Sequence, residues 1–309
     1  MKNILIALIA LVVVGGIGYY LLSKDSKTTV ANDTPTTVVE VDDVAEEKAE
    51  AEVVTPEVVP DAGPEEVIGT SADDNDVVAY HFGDGDTEVM FVGGVHGGYS
   101  FNTALVAFEL IDYLKATPDA VPENVRVTVI PVLNPDGLKE VVGSTGRFDG
   151  TKVTANDAAR VPGRFNANNV DLNRNFDCEW NEEATWQNKS VSGGSSAFSE
   201  SESAALRDYV EANDPSAVVV YYSQAGGVYS STCKNGILPE TTELTNLYAK
   251  ASGYPAFEEF DYYEITGDMV NWLAGKKIPA ISVLLTNHEE SEWTKNKAGI
   301  EAVLQNYAQ

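Results

Sequence analysis

Histidine, cysteine and positive charge are all scarce in this 309-residue chain: three histidines, two cysteines, and 20 basic against 48 acidic side chains, for a net charge of −28. So acidic a field, with no basic patch to offset it, excludes nucleic acid as a partner. With only His81, His96 and His288 present, any imidazole-based centre has few donors to draw on. No cysteine lies near the N-terminus, which excludes a lipidated-cysteine anchor. Cys178 and Cys233 either pair in an oxidising compartment or stay as two buried thiols. No internal repeat of solenoid period is present.

What the sequence does contain begins with an unbroken run of 19 apolar or glycine residues, Ile4 to Leu22. That meets the ~20 residues a membrane helix needs. Ser23-Lys24-Asp25 follows instead of a small-x-small cleavage pattern, so residues 1–27 read as a retained anchor, with a cleaved signal peptide as the alternative. Lys2 against Lys24 and Lys27 leaves the positive-inside comparison nearly even. The acidic tract and the cysteine pair place the bulk of the chain outside. The expectation is a single-pass membrane protein with an extracytoplasmic domain, or a secreted protein if the leader is removed. Residues 28–76 are rich in Val, Thr, Glu, Asp, Ala and Pro without a core-forming pattern, and read as an acidic disordered linker.

From Val77 to Gln309 the texture becomes that of a folded domain. Thr87–Val92, Val125–Val132, Ala217–Tyr222 and Ala280–Leu285 read as strands. Between them lie helical patterns: one capped by Asn102, one opened by a capping box at Ser199-x-x-Glu202, then Thr241–Ser252, Asp268–Ala274 and a last one from Lys295. Asn134-Pro135-Asp136-Gly137 reads as a turn. Alternating strands and helices imply an α/β sheet with helices on both faces. Ligands in such sheets bind beyond the carboxyl ends of strands, where His96, Asn134 and Tyr222 to Gln224 fall. His288, beside Glu289 and Glu290, reads as a solvated loop, with a cryptic metal cluster as the alternative.

Five segments in order, Gly93-Gly94-Val95-His96-Gly97-Gly98, Asn134-Pro135-Asp136-Gly137, Val170-Asp171-Leu172-Asn173-Arg174-Asn175-Phe176, Phe198-Ser199-Glu200 and Ile265-Thr266-Gly267-Asp268, resemble the zinc metallocarboxypeptidases of the carboxypeptidase A type. The resemblance covers residues 77–309. It implies an α/β domain with a mixed, mostly parallel central sheet. It also implies a zinc held by two His and one Glu, a water activated on that metal, and a separate Glu as general base.

By this resemblance His96 matches the first zinc ligand and Asp171 the acid that orients it. Asn173 and Arg174 match the pair that grips a substrate's terminal carboxylate, Arg164 the arginine that supports the oxyanion, and Tyr262 or Tyr263 the mobile tyrosine over the substrate. The chain departs from the pattern elsewhere. Ser100, or alternatively Tyr99, occupies the place of the second ligand, Tyr222 that of the third, and Leu284 that of the general-base Glu. The expectation is therefore a divergent member in which zinc is not bound and hydrolysis is impaired, still binding the carboxylate ends of peptides or of peptidoglycan stem peptides. A working zinc carboxypeptidase with rearranged ligands, and a surface scaffold with no small ligand, are the alternatives.

Overall fold

The computed structural model describes residues 65–309 apart from 235. In chain order the strands are β1 (Glu65–Thr70), β2 (Asp76–Phe82), β3 (Thr87–Val92), β4 (Val125–Ile130), β5 (Glu183–Trp186), β6 (Lys189–Ser192), β7 (Ala217–Ser223), β8 (Gly227–Ser230), β9 (Ala256–Phe257) and β10 (Ala280–Leu285). The main helices are α1 (Phe101–Ala116), α2 (Pro135–Val142), α3 (Ser201–Asn213), α4 (Pro239–Ser252), α5 (Met269–Gly275) and α6 (Trp293–Tyr307).

Eight strands form one sheet in the order β1-β2-β4-β3-β7-β10-β8-β9, and β5 and β6 form a separate hairpin. The centre, β4-β3-β7-β10, is parallel, while β1–β2, β2–β4 and β10–β8 are antiparallel. The sheet is thus mixed with a parallel middle. Parallel strands covered on both faces read as continuous apolar runs, and Val-Val-Val-Tyr-Tyr in β7 and Ala-Ile-Ser-Val-Leu-Leu in β10 are buried throughout. Alternate residues feed two cores. Val89, Phe91 and Val219 pack with Leu110, Tyr248 and Val303 of α1, α4 and α6 on one face. Met90, Val92 and Val220 pack with Leu206, Val210, Trp272 and Leu273 of α3 and α5 on the other.

Four local readings need correction. Strand β1 falls inside residues 28–76, the stretch read as linker, and pairs with β2 along its length. An edge strand is buried on one side only, and the exposed Glu65 and Glu66 that blunt this edge make its composition resemble a tether. Asn134-Pro135-Asp136-Gly137 opens α2: the Asn134 side chain accepts from the Gly137 N–H at 2.8 Å, and Pro135 occupies the first helical position. Asn102 is not a cap. It lies within α1 and donates to the carbonyls of Asn287 and Glu290 while accepting from the Ser223 hydroxyl. The Ser199-x-x-Glu202 box is also not formed, because α3 begins one residue after Glu200 and no side chain caps it. The run Ile4–Leu22 lies outside the described residues; among those described, no helix is long and apolar enough to cross a membrane.

The loop carrying His96 is pressed against the start of α2. Gly97 sits at φ +40, and a Cβ there would come within 2.6 Å of the Gly163 carbonyl oxygen. The Gly98 N–H donates to Gly137 O at 3.0 Å. Glycine at these positions is what lets two backbones meet and fixes where His96 emerges.

Candidate functional site

The carboxyl ends of β3, β7 and β10 open into a cavity of about 980 Å³. His96 enters it from the loop after β3, and Tyr222 and Leu284 from facing positions on the parallel pair β7–β10. The turn Leu172–Arg174 supplies Asn173 and Arg174, the short helical turn Val161–Arg164 supplies Arg164, and β5 contributes Trp186. The segment before α5 adds Tyr262, Tyr263 and Asp268.

Among the described residues, the side chains at the expected ligand positions are not the two His and one Glu of the family pattern. His96 is buried, and neither ring nitrogen has a hydrogen-bond partner. Burial and the nearby Arg164 and Arg174 charges push its pKa well below the ordinary imidazole value, so it is neutral at neutral pH and a weak proton acceptor. Tyr222 does lie beside it, ring centroids 5.5 Å apart. Its hydroxyl, however, is committed to Asn173 Oδ1 at 2.9 Å. Burial, followed by the charge of Asp268, raises the Tyr222 pKa well above that of a free phenol, so no phenolate is available to a metal. At the second ligand position Tyr99 lines the cavity. Ser100 is not among the lining residues and sits at the start of α1 with its hydroxyl buried and unpartnered. Leu284 brings no proton carrier. No group of three or more His, Cys, Asp or Glu among the described residues could hold a metal ion. At the four positions matched to the metal chemistry stand one imidazole, a phenol or hydroxyl, a second phenol and an aliphatic chain, and even with the His288 imidazole that also lines the cavity this is not zinc's usual set of two His and one carboxylate.

The expected bond between Asp171 and His96 is also not made, since the nearest approach is 3.8 Å, too long for one. Asp171 is engaged elsewhere. It accepts from Arg164 Nε at 2.8 Å, lies 2.8 Å from Arg164 Nη2, and accepts from the Asn173 N–H at 3.1 Å. Arg164 is thereby ion-paired, and its guanidinium lies over the Trp186 ring, 4.4 Å from the centroid.

Arg174 differs. It is 1% exposed, and its partners are carbonyl oxygens: Thr185 O at 3.0 and 2.9 Å and Asn173 O at 2.6 Å. No carboxylate among the described residues lies within ion-pair distance of it, the charge of Asp268 being felt only from farther off, so the guanidinium is held in place without a direct ion pair. Asn173 is fixed from the other side. Its Oδ1 accepts from Tyr222 and from the Met269 N–H at 3.2 Å, which leaves the amide nitrogen as a donor. A fixed guanidinium beside a fixed amide donor can bind an anion. Tyr262, 63% exposed, stands at the rim. Tyr263 is half-buried and packs on the cluster of Tyr99 and Trp186, so it is the one of the two that faces inward.

Two lining residues escaped the sequence reading. His288 is not in a solvated loop. It is 4% exposed, its ring lies 4.6 Å from that of Tyr99, and burial lowers its pKa to about 4. Its place three residues after β10, at a strand's carboxyl end, was the available signal. Asp268 was noted only as part of a motif, yet it lies buried in the cavity wall. Cys178 and Cys233 are joined in a disulfide, with Cα atoms 6.2 Å apart.

Residues 59–293 match the family model described as zinc carboxypeptidase. Human carboxypeptidase D is 34% identical over 98 residues, which is 30% of this chain and only 6% of that protein; the mouse protein is 33% identical over the same length and shares. The chain therefore corresponds to a small part of those relatives. Among solved structures, the murein-tripeptide amidase MpaA from Escherichia coli O157 superposes with a TM-score of 0.58 at 21% identity, covering 82% of this chain and 97% of that one. Bovine thrombin-activatable fibrinolysis inhibitor, in complex with a tick carboxypeptidase inhibitor, gives 0.62 at 16% identity, with coverage of 81% and 89%. Carboxypeptidase A from Helicoverpa armigera gives 0.61 at 18%, with coverage of 81% and 69%. At these identities the structural likeness concerns the fold alone.

Proposed function

The chain belongs to the zinc carboxypeptidase family, and we propose that its cavity binds the carboxylate ends of peptides without hydrolysing them. The observation that carries this reading is Arg174, a buried guanidinium whose partners are all carbonyl oxygens, next to an Asn173 amide locked as a donor. A buried cation without a directly paired carboxylate is costly unless a ligand supplies one. The side chains around His96 argue against hydrolysis, since they offer neither a three-donor metal site nor a general base at Leu284. General-base loss alone typically costs ~10²–10⁴-fold in rate.

Peptides and peptidoglycan stem peptides both present the required carboxylate. The disulfide supports an oxidising location. With Ile4–Leu22 as a membrane anchor, the domain faces the outside of the cell, or the protein is secreted if that segment is removed.

The test is calorimetric titration of the purified chain with a pentapeptide and with its C-terminal amide. The free acid binds and the amide does not, and Arg174→Gln abolishes binding while thermal melts verify that the variant is folded. Metal analysis of the same preparation gives well under one zinc per chain, and no peptidase activity sensitive to a chelator is found. Equal binding of acid and amide, or stoichiometric zinc with chelator-sensitive cleavage, refutes the proposal.

A further inference from the structure

A second cavity, of about 380 Å³, shares no lining residue with the first. Its walls come from the start of α1, the loop after α2 and the loop after β10, through Phe101 and Leu105, Gly150 and Val153, and Glu289. Gly150 brings its loop against the helix, for a Cβ there would come within 2.6 Å of Leu105 Cδ1. Leu105 and Val153 are half-buried and pack on the core that includes Phe101. One buried cation is set into these apolar walls. Arg160 is 0% exposed and also lines the cavity. Asn156 caps the short turn Asp157–Arg160, accepting from the Ala158 N–H at 3.0 Å, and so fixes where Arg160 enters. Arg160 Nη1 donates to Thr154 O at 2.7 Å, Nη2 donates to Asp157, and the guanidinium lies 5.4 Å from the Phe101 ring centroid. Nε is buried and has no partner.

A buried donor without an acceptor costs free energy, more so on a charged group, and a ligand that supplies the acceptor removes the cost. An ionised acceptor makes the stronger bond to a guanidinium. Asp157 does not fill that role at Nε: it pairs with Nη2, and its side chain is 57% exposed, so water screens it. Glu289 is the one acid among the lining residues, and it is exposed. A buried cationic donor, an exposed acid and an apolar wall together match a zwitterion with an apolar side chain. The volume falls at the small end of the roughly 300–1,000 Å³ of ligand sites, which suits a single residue.

We propose that this second cavity binds a free α-amino acid with an apolar side chain, of the size of leucine. The carboxylate accepts from Arg160 Nε, the ammonium lies against Glu289, and the side chain rests on Phe101, Leu105 and Val153. The two polar contacts differ in weight. The one to Arg160 is buried and charge-assisted, and is worth about 10-fold or more in affinity. The one to Glu289 is exposed and screened, and is worth about 3-fold. The site stands whether or not the first cavity binds peptide ends.

The test is calorimetric titration of the purified full chain, wild type and Arg174→Gln, with leucine, leucinamide, alanine and 4-methylpentanoate. Leucine binds both proteins, because the second cavity does not use Arg174. It binds about 10-fold or more tighter than leucinamide, which lacks the carboxylate, and than alanine, which lacks the apolar bulk. It binds about 3-fold tighter than 4-methylpentanoate, which lacks only the ammonium. In Glu289→Gln, a change at an exposed position, that last ratio falls to about one. Leu105→Trp fills the cavity and abolishes leucine binding, while thermal melts verify that the variant is folded. The ligand comparisons on the wild-type chain do not depend on how any variant folds. No binding of leucine, binding lost in a folded Arg174→Gln, equal binding of leucine and leucinamide, or binding that survives in Leu105→Trp overturns the site. Binding of 4-methylpentanoate as tight as that of leucine overturns the assignment to an amino acid.

Discussion

Replacing Asp268 by asparagine stabilises the ligand-free protein at neutral pH. The carboxyl has an ordinary value of 3.8 and is raised to about 6 by burial in the folded chain. Between pH 4 and 6 the unfolded chain has already released this proton while the folded chain still holds it. The folded state therefore binds more protons there, and stability falls as pH rises through the window. Above about pH 6 the cost is complete. Raising the carboxyl from 3.8 to about 6 corresponds to about 3 kcal/mol. Asparagine mimics the protonated acid in shape and carries no charge, so it escapes that cost.

One effect opposes the gain. Asp268 stands at the N-terminus of α5, where a negative charge is favoured by ~0.3–1 kcal/mol. That is smaller than the burial cost, so the net change remains stabilising. For a domain of this size it corresponds to on the order of 5–10 °C in melting temperature. The assay is chemical denaturation of wild type and Asp268→Asn at pH 4.5 and pH 7.5. The variant gains on the wild type at pH 7.5 and loses most of that advantage at pH 4.5; the other carboxylates cancel in the difference. A variant equal to or weaker than wild type at pH 7.5 refutes the reasoning, because it means that the carboxylate has a compensating partner in the empty protein.

Tyr222→Phe removes the hydroxyl that fixes Asn173 and keeps the ring beside His96; binding of carboxylate peptides weakens by about 5-fold, the equivalent of ~1 kcal/mol for one hydrogen bond, and unchanged calorimetric affinity reduces Tyr222 to packing. Reducing the Cys178–Cys233 bridge, which closes a loop of 55 residues, costs about 4 kcal/mol on the chain-entropy account. Denaturant midpoints with and without reductant measure it, and identical midpoints refute it.

The frame of the fold was legible because its central strands are buried on both faces. Runs such as Val218 to Tyr222 and Ile281 to Leu285 admit little besides strand, and the glycines around His96 mark a close backbone approach. Edges and caps were less legible. β1 is exposed on one side, and Glu65-Glu66 resembles a tether when pairing is out of view. Asn102 has the right residue type for a cap, but its amide spans to Asn287 and Glu290, more than 180 residues away in the chain. No local pattern encodes that contact. In the site, Arg164 and Asn173 were identified by type but not by bonding: only coordinates assign Asp171 to Arg164 instead of His96. At His288 the flanking acids Glu289 and Glu290 suggest solvent, whereas the ring is drawn inward against Tyr99.

The residues of the proposed carboxylate grip and those at the expected metal positions are held by different parts of the chain. His96, Tyr222 and Leu284 stand at the ends of β3, β7 and β10. Arg174 is placed by the Leu172–Arg174 turn, which is tied to the rest of the domain through backbone contacts: Asp171 N–H to Ser192 O at 3.0 Å, Phe176 N–H to Gly267 O at 2.9 Å, and the Arg174 side chain to Thr185 O. None of those contacts passes through a residue at an expected metal position. Substitution at Tyr99 or Leu284 therefore leaves the turn where it is. At Tyr222 the replacement does more, since its phenol orients the Asn173 amide. A position matched to a metal ligand of relatives here orients Asn173, the amide on which the proposed carboxylate grip relies, so replacing Tyr222 tests that grip and not the metal chemistry alone.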